Sequence, residues 1–147
     1  VVPLCKKQYG PDDLITGEVL LLLVEDMLKL GDYAKVEPFA RECLALWRKA
    51  RPKSQGEVKS LGHLCASLIG QGKNEAAEPN LLDWYATIKE RDASLPPTKR
   101  TALRQIGEEI VSFYLSWKKP DEAAKWRKRI TDDCPAVEAA PPPRLGQ

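Results

Sequence analysis

The chain of 147 residues holds a single histidine, His63, and no closely spaced pair of cysteines. One imidazole cannot build a zinc site, which needs several Cys, His or carboxylate ligands. Cys5, Cys43, Cys65 and Cys134 stand 38, 22 and 69 residues apart, so none has the C-x-x-C spacing of a metal knuckle or a redox motif. Also missing are the phosphate loop G-x-x-x-x-G-K-[ST], the dinucleotide fingerprint G-x-G-x-x-G, the nucleophile elbow G-x-S-x-G and the kinase catalytic-loop and D-F-G motifs. No catalytic, cofactor-binding or metal residue is therefore assigned, and the chain is not read as an enzyme. Acidic pairs occur at Asp12-Asp13, Glu108-Glu109 and Asp132-Asp133. Neighbours on a helix point about 100° apart, so these are not paired-carboxylate sites.

Long apolar runs are absent as well. The longest strongly apolar stretch, Val19 to Val24, is closed by Glu25 and Asp26. It amounts to about a third of a membrane span, and no basic-apolar-small leader opens the chain. No membrane association is expected. The first residue is Val1 and not Met, as expected of a fragment or a processed product. The net charge of +2 is too small to argue for nucleic acid by itself.

Helical periodicity is present almost everywhere, and strand signals are weak. Over 57–70 the apolar set is Val58, Leu61, Leu64, Cys65, Leu68 and Ile69, the stripe of one helix face. Similar stripes run through 33–47 and 103–117. Six helices are predicted, at about 15–30, 33–50, 55–70, 74–92, 97–117 and 121–132. Gly31 and Gly72 follow the first and third of them, where a left-handed residue is wanted. Asp32 is placed to cap the second helix, and Pro120 to open the last at its first turn. Cys43 and Cys65 lie on apolar stripes and are expected as small core residues. Free thiols point to a reducing compartment, the cytoplasm. His63 lies opposite Leu61, Cys65 and Leu68 and is expected on the exposed surface. Residues 134–147 carry four prolines and are expected to form a disordered tail.

Short connections make consecutive helices antiparallel hairpins, and the hairpins repeat. Gly31 and Gly72 are 41 positions apart, as are Pro38 and Pro79. Laying "GKNEAA" (72–77) on "KKPDEAA" (118–124) gives a third copy at an offset of 46. A hairpin recurring at such a period is the mark of a solenoid, because one hairpin cannot cover its own apolar face. The fold class expected is all-α, a right-handed α-solenoid of about three helix-turn-helix hairpins (15–52, 53–95 and 96–133), after a stub, 1–14, from a preceding repeat. Glu37-Pro38 and Glu78-Pro79 fall early in the second helix of their hairpins. A bent or loose first turn is expected there, since an interior proline costs about 3 kcal/mol in a straight helix.

The sequence resembles tetratricopeptide repeats, in particular the long kinesin-light-chain-like variety. The matching residues are Leu20, Leu23, Val24, Met27, Gly31, Tyr33, Val36, Ala40 and Cys43 in the first copy. In the second they are Leu61, Leu64, Cys65, Leu68, Gly72, Ala77, Leu81 and Trp84, and in the third Ile110, Val111, Tyr114, Ala123 and Arg127. Lys118 stands where the third turn would have glycine, and Trp84 where a small residue is usual. The run 95–130 also resembles the last repeat of large bacterial signalling proteins that carry a serine/threonine kinase domain.

The resemblance implies a protein-interaction scaffold. The first helices of the hairpins would line a concave face that binds a peptide or protein partner. Its candidate residues are Glu18, Glu25 and Lys29, then Lys59, Gly62 and Ala66, then Gln105, Glu108 and Ser112. A second reading is a C-terminal regulatory or sensor segment of a larger signalling protein. The stretch 118–129 carries a local charge of +4 interleaved with tryptophans. Nucleic-acid binding is the weaker reading of it, and a polar cap on the last hairpin is preferred. The helix at 15–30 is apolar nearly all round and expects cover on both sides, from a preceding repeat or by self-association with a second chain.

Overall fold

The computed structural model describes residues 1–135, and the rest of the expected tail, 136–147, lies outside the described residues. Among the described residues there are seven α-helices and no strand. They are α1 (Val2–Tyr9), α2 (Leu14–Lys29), α3 (Tyr33–Ala50), α4 (Gln55–Gly70), α5 (Asn74–Arg91), α6 (Thr101–Ser116) and α7 (Pro120–Asp133), with a 3-10 turn at Pro97–Lys99. The chain divides into two compact units, Val1–Arg91 and a second from Asp92 onward. In the first unit each helix packs on the next from α1 to α5, and α2 also packs on α4; in the second, α6 packs on α7.

The helix ends follow local chemistry. Asp13 caps α2 by accepting the Ile15 N–H at 2.8 Å. Ser54 caps α4 through the Glu57 N–H, and the Glu57 carboxylate turns back to the Lys53 N–H, a reciprocal arrangement that satisfies two orphan donors. Asp32 does not cap α3 with its side chain, which pairs instead with Lys35 at 2.9 Å. Pro120 opens α7, where a missing N–H is harmless.

The three hairpin turns share one geometry. Gly31 and Gly72 take φ of 78° and 72°, and Lys118 takes 59° at the equivalent position. In each turn this residue donates to the carbonyl three positions back: Leu28 at 3.0 Å, Ile69 at 3.0 Å and Leu115 at 3.1 Å. In the second and third turns the next N–H closes a longer loop, from Lys73 to Leu68 and from Lys119 to Tyr114. A left-handed lysine costs about 1–2 kcal/mol relative to glycine. Its neighbour Lys119 places its ammonium 3.4 Å from the centre of the Trp117 ring.

Interlocking aromatic rings and glycines build the first unit. Trp47 is buried, and a Cβ added at Gly56 would stand 2.2 Å from its ring; one added at Gly17 would meet Leu46 at 2.8 Å and the indole at 3.1 Å. The indole thus lies where two helices, α2 and α4, present no side chain. Tyr33 covers Gly70 in the same way, and Trp84 covers Gly62. The large residue at Trp84 is accommodated because its neighbour helix offers a glycine. Between these notches the core is filled by Leu20, Val24, Val36, Ala40, Leu61, Leu64, Leu68, Leu81 and Tyr85. In the second unit the buried residues include Leu103, Ile106, Ile110, Tyr114, Ala123, Trp126 and Ile130.

Cys43 and Cys65 are buried, as the stripes indicated, and neither is in a disulfide. Burial pushes the Cys43 thiol up to about 11, and its sulfur lies 3.2 Å from the Ser60 hydroxyl. Three expectations need correction. The opening segment is a helix, α1, held by packing of Val2 against Leu20, Leu21 and Trp47 and not by its own propensity. Cys134 belongs to the packed second unit, being buried, with its carbonyl accepting from Arg104. Finally, α3 and α5 run without interruption through Pro38 and Pro79, each the sixth residue of its helix, so neither proline delays its helix start.

What accompanies the first proline is a charge network. The Glu37 carboxylate accepts from Lys73 at 2.7 Å, Gln71 at 2.8 Å and Arg41 at 3.0 Å. Lys73, then Gln71 and Arg41, hold its carboxyl well below the usual range, at about 2. The network ties the start of α3 to the turn between α4 and α5. Because the folded state lowers this carboxyl, its stabilisation is complete above about pH 4.5 and is lost as pH falls toward 2. Glu37→Gln is expected to lose about 1 kcal/mol at pH 7 in urea denaturation. The gap to the wild type should close at pH 2; a constant gap across that range would show that the charge is not responsible.

Candidate functional site

The first helices of two hairpins, α2 and α4, lie side by side in the first unit. Each buries one stripe, Leu20, Leu21 and Val24 on α2 and Leu61, Leu64, Cys65 and Leu68 on α4. The residues between those stripes are left toward solvent. Glu18 and Lys29 of α2 and Lys59 and Ala66 of α4 are exposed, and Glu25 is half-buried.

Gly62 is placed differently from its expected role. Its side-chain direction meets the Trp84 indole of α5, at 2.7 Å from a modest Cβ, so it serves packing within the hairpin and not an open face. The third set, Gln105, Glu108 and Ser112 of α6, belongs to the second unit and is exposed. There Glu108 and Ser112 border a groove of about 440 Å³ between α6 and α7, together with Arg104, Leu115, Arg127 and Ile130.

His63 is the residue that the helix-face reading misjudged. It is half-buried, and its Nε2 atom is withdrawn from solvent without a hydrogen-bond partner of good geometry. The nearest carboxylate oxygen is Oε1 of Glu25 on α2, 3.5 Å away. Burial lowers the imidazole below its ordinary 6.5; Glu25 opposes that shift and Lys59 adds to it. A sequence signal was available. Residue 63 is one helical turn beyond Lys59, so any face that carries one carries the other. Glu25, Lys59 and His63 therefore form one cluster of mixed charge bridging α2 and α4.

A second polar junction joins α3, α4 and α5. Arg48 of α3 donates to Glu57 of α4 at 2.9 Å and also to Asp83 of α5. Glu57 is only 6% exposed, so this pair is partly desolvated and fixes how successive hairpins meet. In the second unit, the basic stretch of α7 turns Trp126 inward, where it is buried, and keeps Arg127, Lys128 and Arg129 on the surface. Among the described residues no group of three or more His, Cys, Asp or Glu converges as a metal site. None of the described helices is long and apolar enough to cross a membrane.

Neither a comparison with protein-family models nor one with curated proteins gives a match to this chain.

The His63 environment has a measurable consequence. The folded state disfavours the imidazolium, so stability is full above about pH 6.5 and falls as pH drops through the lowered folded value. His63→Phe should flatten the stability profile between pH 7 and 5, measured by urea denaturation. An unchanged slope would place the titrating group elsewhere.

Proposed function

We propose that the chain is a protein-interaction scaffold, a right-handed α-solenoid of about three tetratricopeptide-like hairpins that binds a peptide or protein partner. The observation that carries this reading is repetition of geometry. Three hairpin turns share one backbone conformation, at Gly31, Gly72 and Lys118. Helices in the first position of two hairpins, α2 and α4, lie against each other with polar residues left open. A unit repeated in this way, with its apolar stripes buried between neighbours, has an extended polar face as its natural recognition surface. Four cysteines with no disulfide among them are the ground for proposing the cytoplasm as its compartment.

On this reading Glu18, Glu25, Lys29, Lys59 and Ala66 meet the partner in the first unit, and His63 joins them. Gln105, Glu108 and Ser112 are the corresponding residues of α6. Both signs of charge are present, so the partner segment is itself mixed in charge. Ligand specificity then resides in the pattern of charges, which sets register and orientation more than raw affinity.

The test is a peptide array, followed by titration of the peptides retained. Lys59→Ala and Gln105→Ala should each weaken binding by about threefold to tenfold, the effect of one well-placed contact at an interface. Lys35→Ala, on the second helix of the first hairpin, should leave binding unchanged. If both alanines at Lys59 and Gln105 leave the affinities untouched, the face has been assigned to the wrong side of the helices.

A further inference from the structure

We propose that His63 is a pH-sensitive switch on the partner-binding face: protonation of its ring draws Glu25 away from the partner and releases a basic side chain held there. The switch acts on the recognition surface of α2 and α4 proposed above and rests on that reading. His63 is half-buried, and its Nε2 atom is shut off from solvent with no hydrogen-bond partner among the described residues. Oε1 of Glu25, across the contact between α4 and α2, stands 3.5 Å from that atom, at the outer limit of a hydrogen bond. The hairpin itself does not require an imidazole at this place. The equivalent residue is Leu22 in the first copy, 41 positions earlier, and Glu109 in the third, 46 positions later.

Two charges act on the ring, Glu25 from α2 and Lys59 from one turn earlier on α4. Among the described residues no charged group of α3 or α5, the other helices packed on α4, acts on it. Burial lowers the imidazole below its ordinary 6.5, so the ring is neutral at pH 7. In that state the Glu25 carboxylate is not matched by a cation of its own chain. Lys29, one turn along α2, pairs with Asp26 at 3.5 Å instead. The complementary group on a partner of mixed charge is a lysine or arginine side chain at Glu25, with an acidic side chain at Lys59.

Acid changes two things at this spot. An imidazolium beside a carboxylate makes a charge-assisted hydrogen bond, shorter and about twice as strong as a neutral one. Glu25 is then drawn onto the ring. The patch, balanced between Glu25 and Lys59 while the ring is neutral, also gains a positive charge in excess. A basic side chain docked on Glu25 loses its counter-charge and is repelled by the ring. Linkage fixes the sign: a bound cation opposes protonation of His63, so protonation of His63 opposes binding of the cation. Affinity is full while the ring is neutral and falls as pH drops through its folded-state value, by at most about tenfold per pH unit for one proton.

Two measurements on the full chain test this. His63 is the single histidine, so its ring signals in an NMR titration of the free protein are unambiguous. Between about pH 7.5 and 5 the side-chain carboxyl signal of Glu25, assigned by its loss in Glu25→Gln, should shift with the His63 midpoint. A Glu25 signal that ignores that midpoint overturns the switch, with or without a partner. The second measurement uses the histidine-free peptide that an array retains most tightly at about pH 7.5. Its affinity should be about threefold to tenfold lower at pH 5. His63→Gln and Glu25→Gln should each bind it equally at the two pH values, and Lys59→Ala should keep the fall. Helical circular dichroism should be the same at both, and a loss of binding that tracks a loss of helicity overturns the proposal. An affinity that does not change with pH, or a fall that persists in His63→Gln, overturns the switch and leaves the scaffold reading standing. An array that retains no peptide overturns the scaffold reading, and this proposal with it.

Discussion

The packing of Trp47 between Gly17 and Gly56 is the contact on which the first unit depends. The indole belongs to α3, yet its ring occupies the space where α2 and α4 would otherwise carry side chains. One aromatic group therefore joins three helices and sets the spacing of the first hairpin against the second. Large aromatic side chains bury roughly 150–250 Å² each, so a single residue of this kind outweighs several surface contacts. The helices give up intrinsic propensity to make room for it. Glycine in a helix interior is disfavoured by about 0.5–1 kcal/mol relative to alanine. The close approach is what compensates for that loss.

Polar contacts then fix what the apolar core leaves free. Arg48 joins the end of α3 to Glu57 and Asp83, and Glu37 gathers Arg41, Gln71 and Lys73 at the opposite end of the same helix. Apolar packing is non-directional and would tolerate rotation or sliding of one hairpin on the next. Two charge junctions at the two ends of α3 remove that freedom. The Glu-Pro pairs can be understood in part through this. At the first of them the glutamate is the hub of a junction, while the proline beside it leaves the helix uninterrupted.

Much of this was legible in the sequence. Apolar spacing located α2 to α7, and the 41-residue offset put Gly31 and Gly72 in register. Lys118 was aligned with those glycines as a departure from the pattern, and its backbone nevertheless takes the same left-handed conformation. What escaped was whatever depends on a partner far along the chain. Eight residues of α1 form a helix only because Val2 has Leu20, Leu21 and Trp47 to pack against. Gly17, Gly56, Gly62 and Gly70 look like weaknesses when helices are read one at a time, and their rings belong to other helices, 9 to 37 positions away. His63 seemed exposed because the face argument counted apolar neighbours on α4 alone and not Glu25 on α2. Helix geometry put Glu18, Lys29, Lys59 and Ala66 at positions that are exposed, whereas Gly62 meets the Trp84 indole across the hairpin.

The stability of the Gly56→Ala variant, measured by urea denaturation, tests the central contact most directly. Helix propensity alone says that alanine stabilises α4 by about 0.5–1 kcal/mol. A Cβ 2.2 Å from a buried indole instead forces the ring or the helix to move, and the expected outcome is a loss of about 1–3 kcal/mol. The penalty should vanish when the same change is made in a Trp47→Leu background. A Gly56→Ala protein as stable as the wild type, or more stable, would contradict the account.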